Sequence, residues 1–184
     1  VESTLGCYLP RYRQLLLYEV KIDRDQKETI ETLIHEGFHQ FMHQLVPDNA
    51  IPYWLNEGLA EFMSAVEIKD GEVVKSGLVL EGRLSALKVY VQATRGQIFP
   101  FPELMRESPQ EFYAGEVWAK YAQAWAMVHY FELGAKPSTK QRYQRYVKLL
   151  REGTPAEEAF ETAWSGAPWG AIQERWWTYV NSLK

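Results

Sequence analysis

Three of the four histidines in this 184-residue chain stand at positions 35, 39 and 43, within the stretch TLIHEGFHQFMHQL. His35 and His39 are four residues apart. On a helix that spacing puts both imidazoles on one face, where two ring nitrogens can converge on one cation. Zn²⁺ accepts imidazole nitrogen at ~2.0–2.1 Å, and a catalytic site adds a third protein ligand while leaving one position open. Glu36 is rotated from the ligand face but lies in the same turn. Its carboxylate can reach a water at the open position and act as a base without binding the metal. The three residues make the His-Glu-x-x-His arrangement of zinc peptidases. The competing reading is an amphipathic helix whose polar face happens to be histidine.

A third ligand decides between the two. His43 continues the face of His35 and His39, but it lies two turns from His35, roughly 12 Å along the axis at 1.5 Å per residue. One ion cannot bridge that span, so His43 is read as a solvated or supporting residue. The metzincin extension needs a glycine three residues after His39 and a histidine three beyond that; Met42 and Leu45 stand there and exclude it. Glu57, in WLNEGLAEF, follows His39 after seventeen intervening residues. A helix–loop–helix of that length returns a carboxylate to the ion, so Glu57 is the expected third ligand.

The elements that must position these groups follow from the pattern. From about Lys27 to Leu45, the residues Ile30, Ile34, Phe38, Phe41 and Leu45 recur at three- and four-residue steps, which predicts a helix with an apolar stripe. The histidines fall on a face adjacent to that stripe. Pro47 and Pro52 bound a loop, and YWLNEGLAEFMSAV starts a second helix after Pro52. QLLLYEV, residues 14 to 20, reads as a strand. In VEIKDGEVVKS, Asp70-Gly71 is a favoured hairpin turn between two short strands. Beyond residue 80 the chain reads as helices near 81–95, 115–133, 138–152, 155–165 and 168–183, separated by glycines and prolines. Tyr90, Trp118, Trp125, Trp164, Trp176 and Trp177 are expected mostly to supply their core.

HEGFH followed by PYWLNEGLAEF resembles the gluzincin peptidases, among them the aminopeptidase N and thermolysin families, with a ligand spacing one residue shorter than in the aminopeptidases. The nearer resemblance is to the bacterial peptidase-MA-like domains. GCYLPRYRQLLLYE resembles their opening strand, KYAQAWAMVHYF their downstream helix and ERWWTYVNSL their closing helix. The resemblance implies a zincin-like fold and an extracytoplasmic setting, secreted or periplasmic. It implies that Glu61, one turn after Glu57, orients the first histidine ligand; the alternative is an ordinary exposed helix glutamate. It also implies a hydroxyl or imidazole donor for the oxyanion on a helix well downstream. Tyr121 is the first candidate and His129 the second, and a plain core role stays open for each.

Composition bounds the rest. At 46% apolar and 14% aromatic residues, the chain can build a core rather than remain disordered. A net charge of −4 with no basic stripe argues against nucleic acid. Cys7 is the only cysteine, which excludes an intrachain disulfide and any multi-cysteine metal site. The start at Val1, without an initiator Met, is read as a processed or trimmed product. No apolar run approaches the ~20 residues of a membrane span.

The expectation is an α+β, mostly helical, zincin-like domain over residues 1–184. A metal-motif lobe (1–79) carries a small sheet or hairpin, and a helical lobe (80–184) closes over the cleft. The expected function is zinc-dependent hydrolysis of a peptide or protein substrate. His35, His39 and Glu57 hold Zn²⁺, Glu36 is the base, Tyr121 steadies the oxyanion, and the strand near residues 13–20 pairs with extended substrate. The rival is a metal-containing module that binds peptide or cell-wall polymer without cutting it.

Overall fold

The computed structural model describes residues 6–17, 26–46, 51–70 and 72–184. The described chain opens with an antiparallel hairpin, β1 (Gly6–Leu9) and β2 (Gln14–Leu17), in the register Gly6↔Leu17 to Leu9↔Gln14. The expected strand at 14–20 is therefore the second arm of a hairpin; residues 18–20 lie outside the described residues. Helix α1 (Gln26–Leu45) follows, then α2 (Tyr53–Ser64), and a second hairpin of β3 (Val66–Lys69) and β4 (Glu72–Ser76). Asp70 has φ 54°, the left-handed geometry that a tight Asp-Gly turn demands of its first central residue.

Seven further helices complete the molecule. They are α3 (Glu81–Ala93), two single turns α4 (Phe101–Leu104) and α5 (Pro109–Phe112), α6 (Val117–His129), α7 (Pro137–Arg151), α8 (Ala156–Trp164) and α9 (Trp169–Ser182). Between α6 and α7, residues Tyr130–Gly134 form a π-helical turn. Among the described residues the protein is thus mostly helical with two small antiparallel hairpins; the sequence pattern predicts the helical bulk, the second hairpin and one arm of the first. No helix among the described residues is long and apolar enough to cross a membrane.

Helix α2 is the central strut. Trp54 and Leu55 on its inner face are buried in one core with Leu87 of α3, Trp125 and Val128 of α6, Tyr146 of α7 and Trp176 of α9. The Trp54 and Tyr146 rings stack in this core with centroids 6.4 Å apart. So α2 belongs by sequence to the expected first lobe, yet its apolar side is part of the helical core. Glycine makes the contact possible: a Cβ on Gly58 would stand 2.7 Å from the Ala124 carbonyl oxygen and 2.9 Å from Val128 Cγ2. Backbones approach this closely only where no side chain intervenes. Of the expected core aromatics, Trp125, Trp164 and Trp176 are buried, Tyr90 and Trp177 are partly buried, and Trp118 lies on the surface.

Candidate metal centre

Helix α1 crosses α2 on the side away from that core, and their facing surfaces bring three side chains together. His35 and His39 project from α1 one turn apart, and Glu57 rises from the buried face of α2. His35 Nε2 and His39 Nε2 are 3.1 Å apart. Glu57 Oε2 stands 3.4 Å from His39 Nε2 and 3.6 Å from His35 Nε2. Two nitrogens and one oxygen therefore form a nearly equilateral triangle. These are the three residues that the spacing of the sequence joins to a single ion. Among the described residues they form the one group of His, Cys, Asp or Glu side chains set close enough to share a cation.

The surrounding hydrogen bonds fix what the triangle presents. Asn56 Oδ1 lies 3.2 Å from His39 Nδ1. An amide oxygen only accepts, so Nδ1 carries the proton and Nε2 turns its lone pair inward. His35 turns its Nδ1 the other way, 3.9 Å from Glu61 Oε1. Glu57 Oε1 accepts a hydrogen bond from the Tyr113 hydroxyl at 2.9 Å. Its partner oxygen, Oε2, is buried and has no hydrogen bond from the described residues. Three potential ligand atoms, His35 Nε2, His39 Nε2 and Glu57 Oε2, thus face one point. A buried, unpaired carboxylate oxygen costs several kcal/mol unless a cation compensates. Burial would push the Glu57 carboxyl up, but the two imidazoles outweigh it and hold it well below the usual carboxylate range. Burial would likewise lower His39, yet the Glu57 carboxylate and the Asn56 oxygen raise it overall.

The residues fit zinc on geometry as well as on donor type. Ligand atoms ~2.0–2.1 Å from a tetrahedral zinc are about 3.3–3.4 Å from one another. The observed edges of 3.1, 3.4 and 3.6 Å bracket that value. Two imidazoles and a carboxylate, with the fourth direction left to the cleft, are the donor set of a three-ligand zinc site.

The other candidates take distinct places. Glu36 points to the hairpin, where its Oε2 accepts the backbone N–H of Tyr8 at 2.7 Å. His43 lies beyond the triangle, its Nδ1 2.7 Å from the Tyr8 hydroxyl. Tyr8 therefore ties the first hairpin to α1 at two points. Glu61 is buried and accepts from Arg83 of α3 at 2.5 Å, which neutralises it behind His35. His129 is packed among Phe62, Trp125 and Tyr179, with Nδ1 2.8 Å from the Tyr179 hydroxyl. The structure thus keeps His129 in the core, apart from the His35–His39–Glu57 triangle.

Tyr121 packs beside the triangle, its ring 5.5 Å from Phe112 and 6.5 Å from Tyr113, with the Arg83 guanidinium 5.4 Å above it. Its hydroxyl lies against both the Tyr113 hydroxyl and the Glu57 carboxylate, and Tyr113 itself donates to Glu57. Burial first, then the Glu57 charge, keeps both phenols protonated well above the ordinary tyrosine range. Tyr113 and Asn56 are the two residues that the motif reading overlooks. Asn56 is the residue next to Glu57. Tyr113 follows α5, whose start carries a capping box: Ser108 Oγ accepts from Glu111 N–H, and the Glu111 carboxylate accepts from Ser108 N–H. The SPQE sequence is the available signal for that turn.

A cleft of about 720 Å³ opens on the triangle, lined by Tyr8 and the turn of the first hairpin, by His39, Met42 and His43 of α1, and by Tyr53, Asn56, Glu57 and Tyr113.

Residues 29–157 match the family model described as "Protein of unknown function (DUF1570)", and the chain belongs to that family. The match spans the three triangle residues together with Glu36, Asn56, Glu61, Tyr113 and Tyr121. No curated protein and no solved structure matches the chain.

Proposed function

We propose that this member of the DUF1570 family is a zinc-dependent peptidase with a zincin-like fold. The observation that carries the reading is the inward-facing triangle of His35, His39 and Glu57, whose edges suit tetrahedral zinc and whose fourth side opens on a cleft. Zinc bound there supplies Lewis acidity, which polarises a carbonyl and acidifies water.

The chain's own groups do the remaining work. Glu36 follows His35 on α1 and holds its carboxylate beside β1. It takes the proton of the attacking water and delivers it to the leaving amine. The Tyr8 N–H marks β1 as the strand beside the base, so extended substrate would run along β1 instead of the arm at 14–17. Tyr113, at the cleft wall, turns its hydroxyl from Glu57 Oε1 to the developing oxyanion, and Tyr121 behind it supports the ring. Asn56 and Glu61 orient His39 and His35.

Digestion of a broad peptide library by zinc-loaded protein tests the reading against the binding-module alternative. Wild type is expected to cut. Glu36→Gln is expected to keep its zinc and its fold while losing roughly 10²–10⁴ in rate. Zinc-loaded wild type that cuts no peptide in the library would transfer the site to binding alone.

A further inference from the structure

Beside the metal centre, the cleft has a charge of its own. The turn joining β1 to β2, residues 10–13, forms one wall and contributes Arg11 and Arg13, both exposed. Among the described residues neither guanidinium is engaged by a carboxylate: Arg11 lies over the Tyr12 ring at 5.9 Å, and the Arg13 contact is its backbone carbonyl accepting from Gln40. Among the described residues the one carboxylate on the cleft lining is Glu57, and it is turned to the histidines. A molecule of net charge −4 therefore presents, at this cleft, two unmatched cations and the cation-seeking triangle. Between them Met42, Val46, Ile51 and Tyr53 form an apolar stretch of lining.

A guanidinium offers a planar fork of N–H donors that matches a carboxylate, and such charge-assisted pairs are about twice as strong as neutral ones. The turn also holds its arginines in a defined backbone. Arg13 sits at φ 51°, a left-handed conformation that a non-glycine residue adopts only where the turn imposes it. Two clefted arginines beside an apolar stretch suit a ligand that couples an apolar side chain to a carboxylate.

We propose that the Arg11–Arg13 turn is a carboxylate-recognition element, so that the substrate is a peptide bearing a free C-terminus or an acidic side chain together with an apolar residue. The proposal rests on the peptidase reading for the word substrate; the recognition itself does not need catalysis.

Zinc-loaded Glu36→Gln protein, which binds without turnover, is titrated by fluorescence anisotropy with four N-terminally labelled peptides. They share one apolar sequence and carry, respectively, a neutral amidated end, a free C-terminal carboxylate, an internal Glu with an amidated end, or an internal Lys with an amidated end. At least one carboxylate peptide is expected to bind about tenfold tighter than the neutral one, and the Lys peptide more weakly. Tight binding of the free-end peptide identifies the chain terminus as the recognised group; tight binding of the Glu peptide identifies the side chain. In the Arg11→Gln/Arg13→Asn double variant, whose Asn tolerates the left-handed backbone, the advantage is expected to vanish. Arg11→Lys/Arg13→Lys is expected to restore part of it, which excludes a misfolded turn. Equal affinity for all four peptides, or an advantage that survives the double variant, would overturn the proposal. Zinc content measured on the same samples separates the two readings. Protein without zinc that still prefers carboxylates retains the arginine assignment and removes the peptidase one. Zinc-loaded protein without the preference removes only the arginines' role.

Discussion

The two helices that meet at the triangle are built on different principles. Helix α2 is anchored: Trp54 and Leu55 are buried in the main core, Gly58 and Ala60 are buried beside them, and its Glu57 is 95% covered. Helix α1 is draped: among its described residues none is buried, and Phe41 and Leu45 of its apolar stripe remain 54% and 46% exposed. The packing of α2 fixes the carboxylate by the same interactions that fix the fold. The histidines of α1 are held by contacts at the site itself: Asn56 on His39, Glu61 beyond His35, and Tyr8 on Glu36 and His43. One side chain of the proposed zinc site is set by the core, and two are set by local polar partners.

The largest test of this contrast is loss of a ligand. His39→Ala and Glu57→Ala should each abolish library hydrolysis by about 10³-fold or more, since the Lewis acidity of the ion is worth several kcal/mol. The anchored and draped helices should then separate in hydrogen exchange. Chelation of wild type should speed exchange of the α1 amides while leaving α2 protected, because local opening follows buried contact. Equal loss of protection in both helices would erase the distinction.

Next in size is the donor at the cleft wall. Tyr113→Phe keeps the ring against Tyr53 and Phe112 and removes the hydroxyl. It should lower kcat by about 10²–10³-fold with little change in KM. Tyr121→Phe should cost less, because its hydroxyl lies behind Tyr113, against Tyr113 and Glu57. A larger loss at Tyr121 than at Tyr113 would reverse the two roles.

Asn56→Ala removes the acceptor that sets the His39 tautomer and should weaken zinc binding about 10–100-fold, read by competition with a chromophoric chelator. Unchanged affinity would mean that His39 is oriented by its backbone alone.

The smallest effects come from two glycines. A methyl group at Gly58 meets the α6 backbone, so Gly58→Ala should destabilise by about 1–3 kcal/mol, seen as a lowered Tm. A methyl group at Gly37 on α1 meets no described residue within 4 Å, so Gly37→Ala should stabilise by about 0.5–1 kcal/mol through helix propensity. Opposite signs at the two positions express the anchored and draped packing in a single pair of melting curves.

Legibility in the sequence divides along similar lines. His35 and His39 are readable because four-residue spacing on a helix has one geometric meaning, and Glu57 because the loop after Leu45 leaves one length that returns a carboxylate. The structure brings those three together. The long helices are readable from their periodic apolar residues, and the β3–β4 hairpin from Asp70-Gly71. Four-residue turns such as α4 and α5 complete barely one period and leave no such trace, so Tyr113 escapes notice although Ser108 and Glu111 mark its turn. The first strand, Gly6–Leu9, is short and broken from β2 by Pro10, and only its partner carries a strand-like run of leucines. The apolar stripe of α1 predicts a buried face, but periodicity reports which residues align and not whether another element covers them. His129 shares a helix face with Tyr121 and Trp125, yet two turns of rise separate it from Tyr121 and carry it into the core.

Metal content measures the central claim most directly. Protein purified without chelator or metal-affinity resin, stripped and reloaded with zinc, is dialysed and assayed by mass spectrometry of the elements. Wild type should hold about one zinc per chain, with His39→Ala and Glu57→Ala each retaining little of it. Full zinc occupancy in both variants, or none in wild type, would contradict the assignment of His35, His39 and Glu57 as a zinc site.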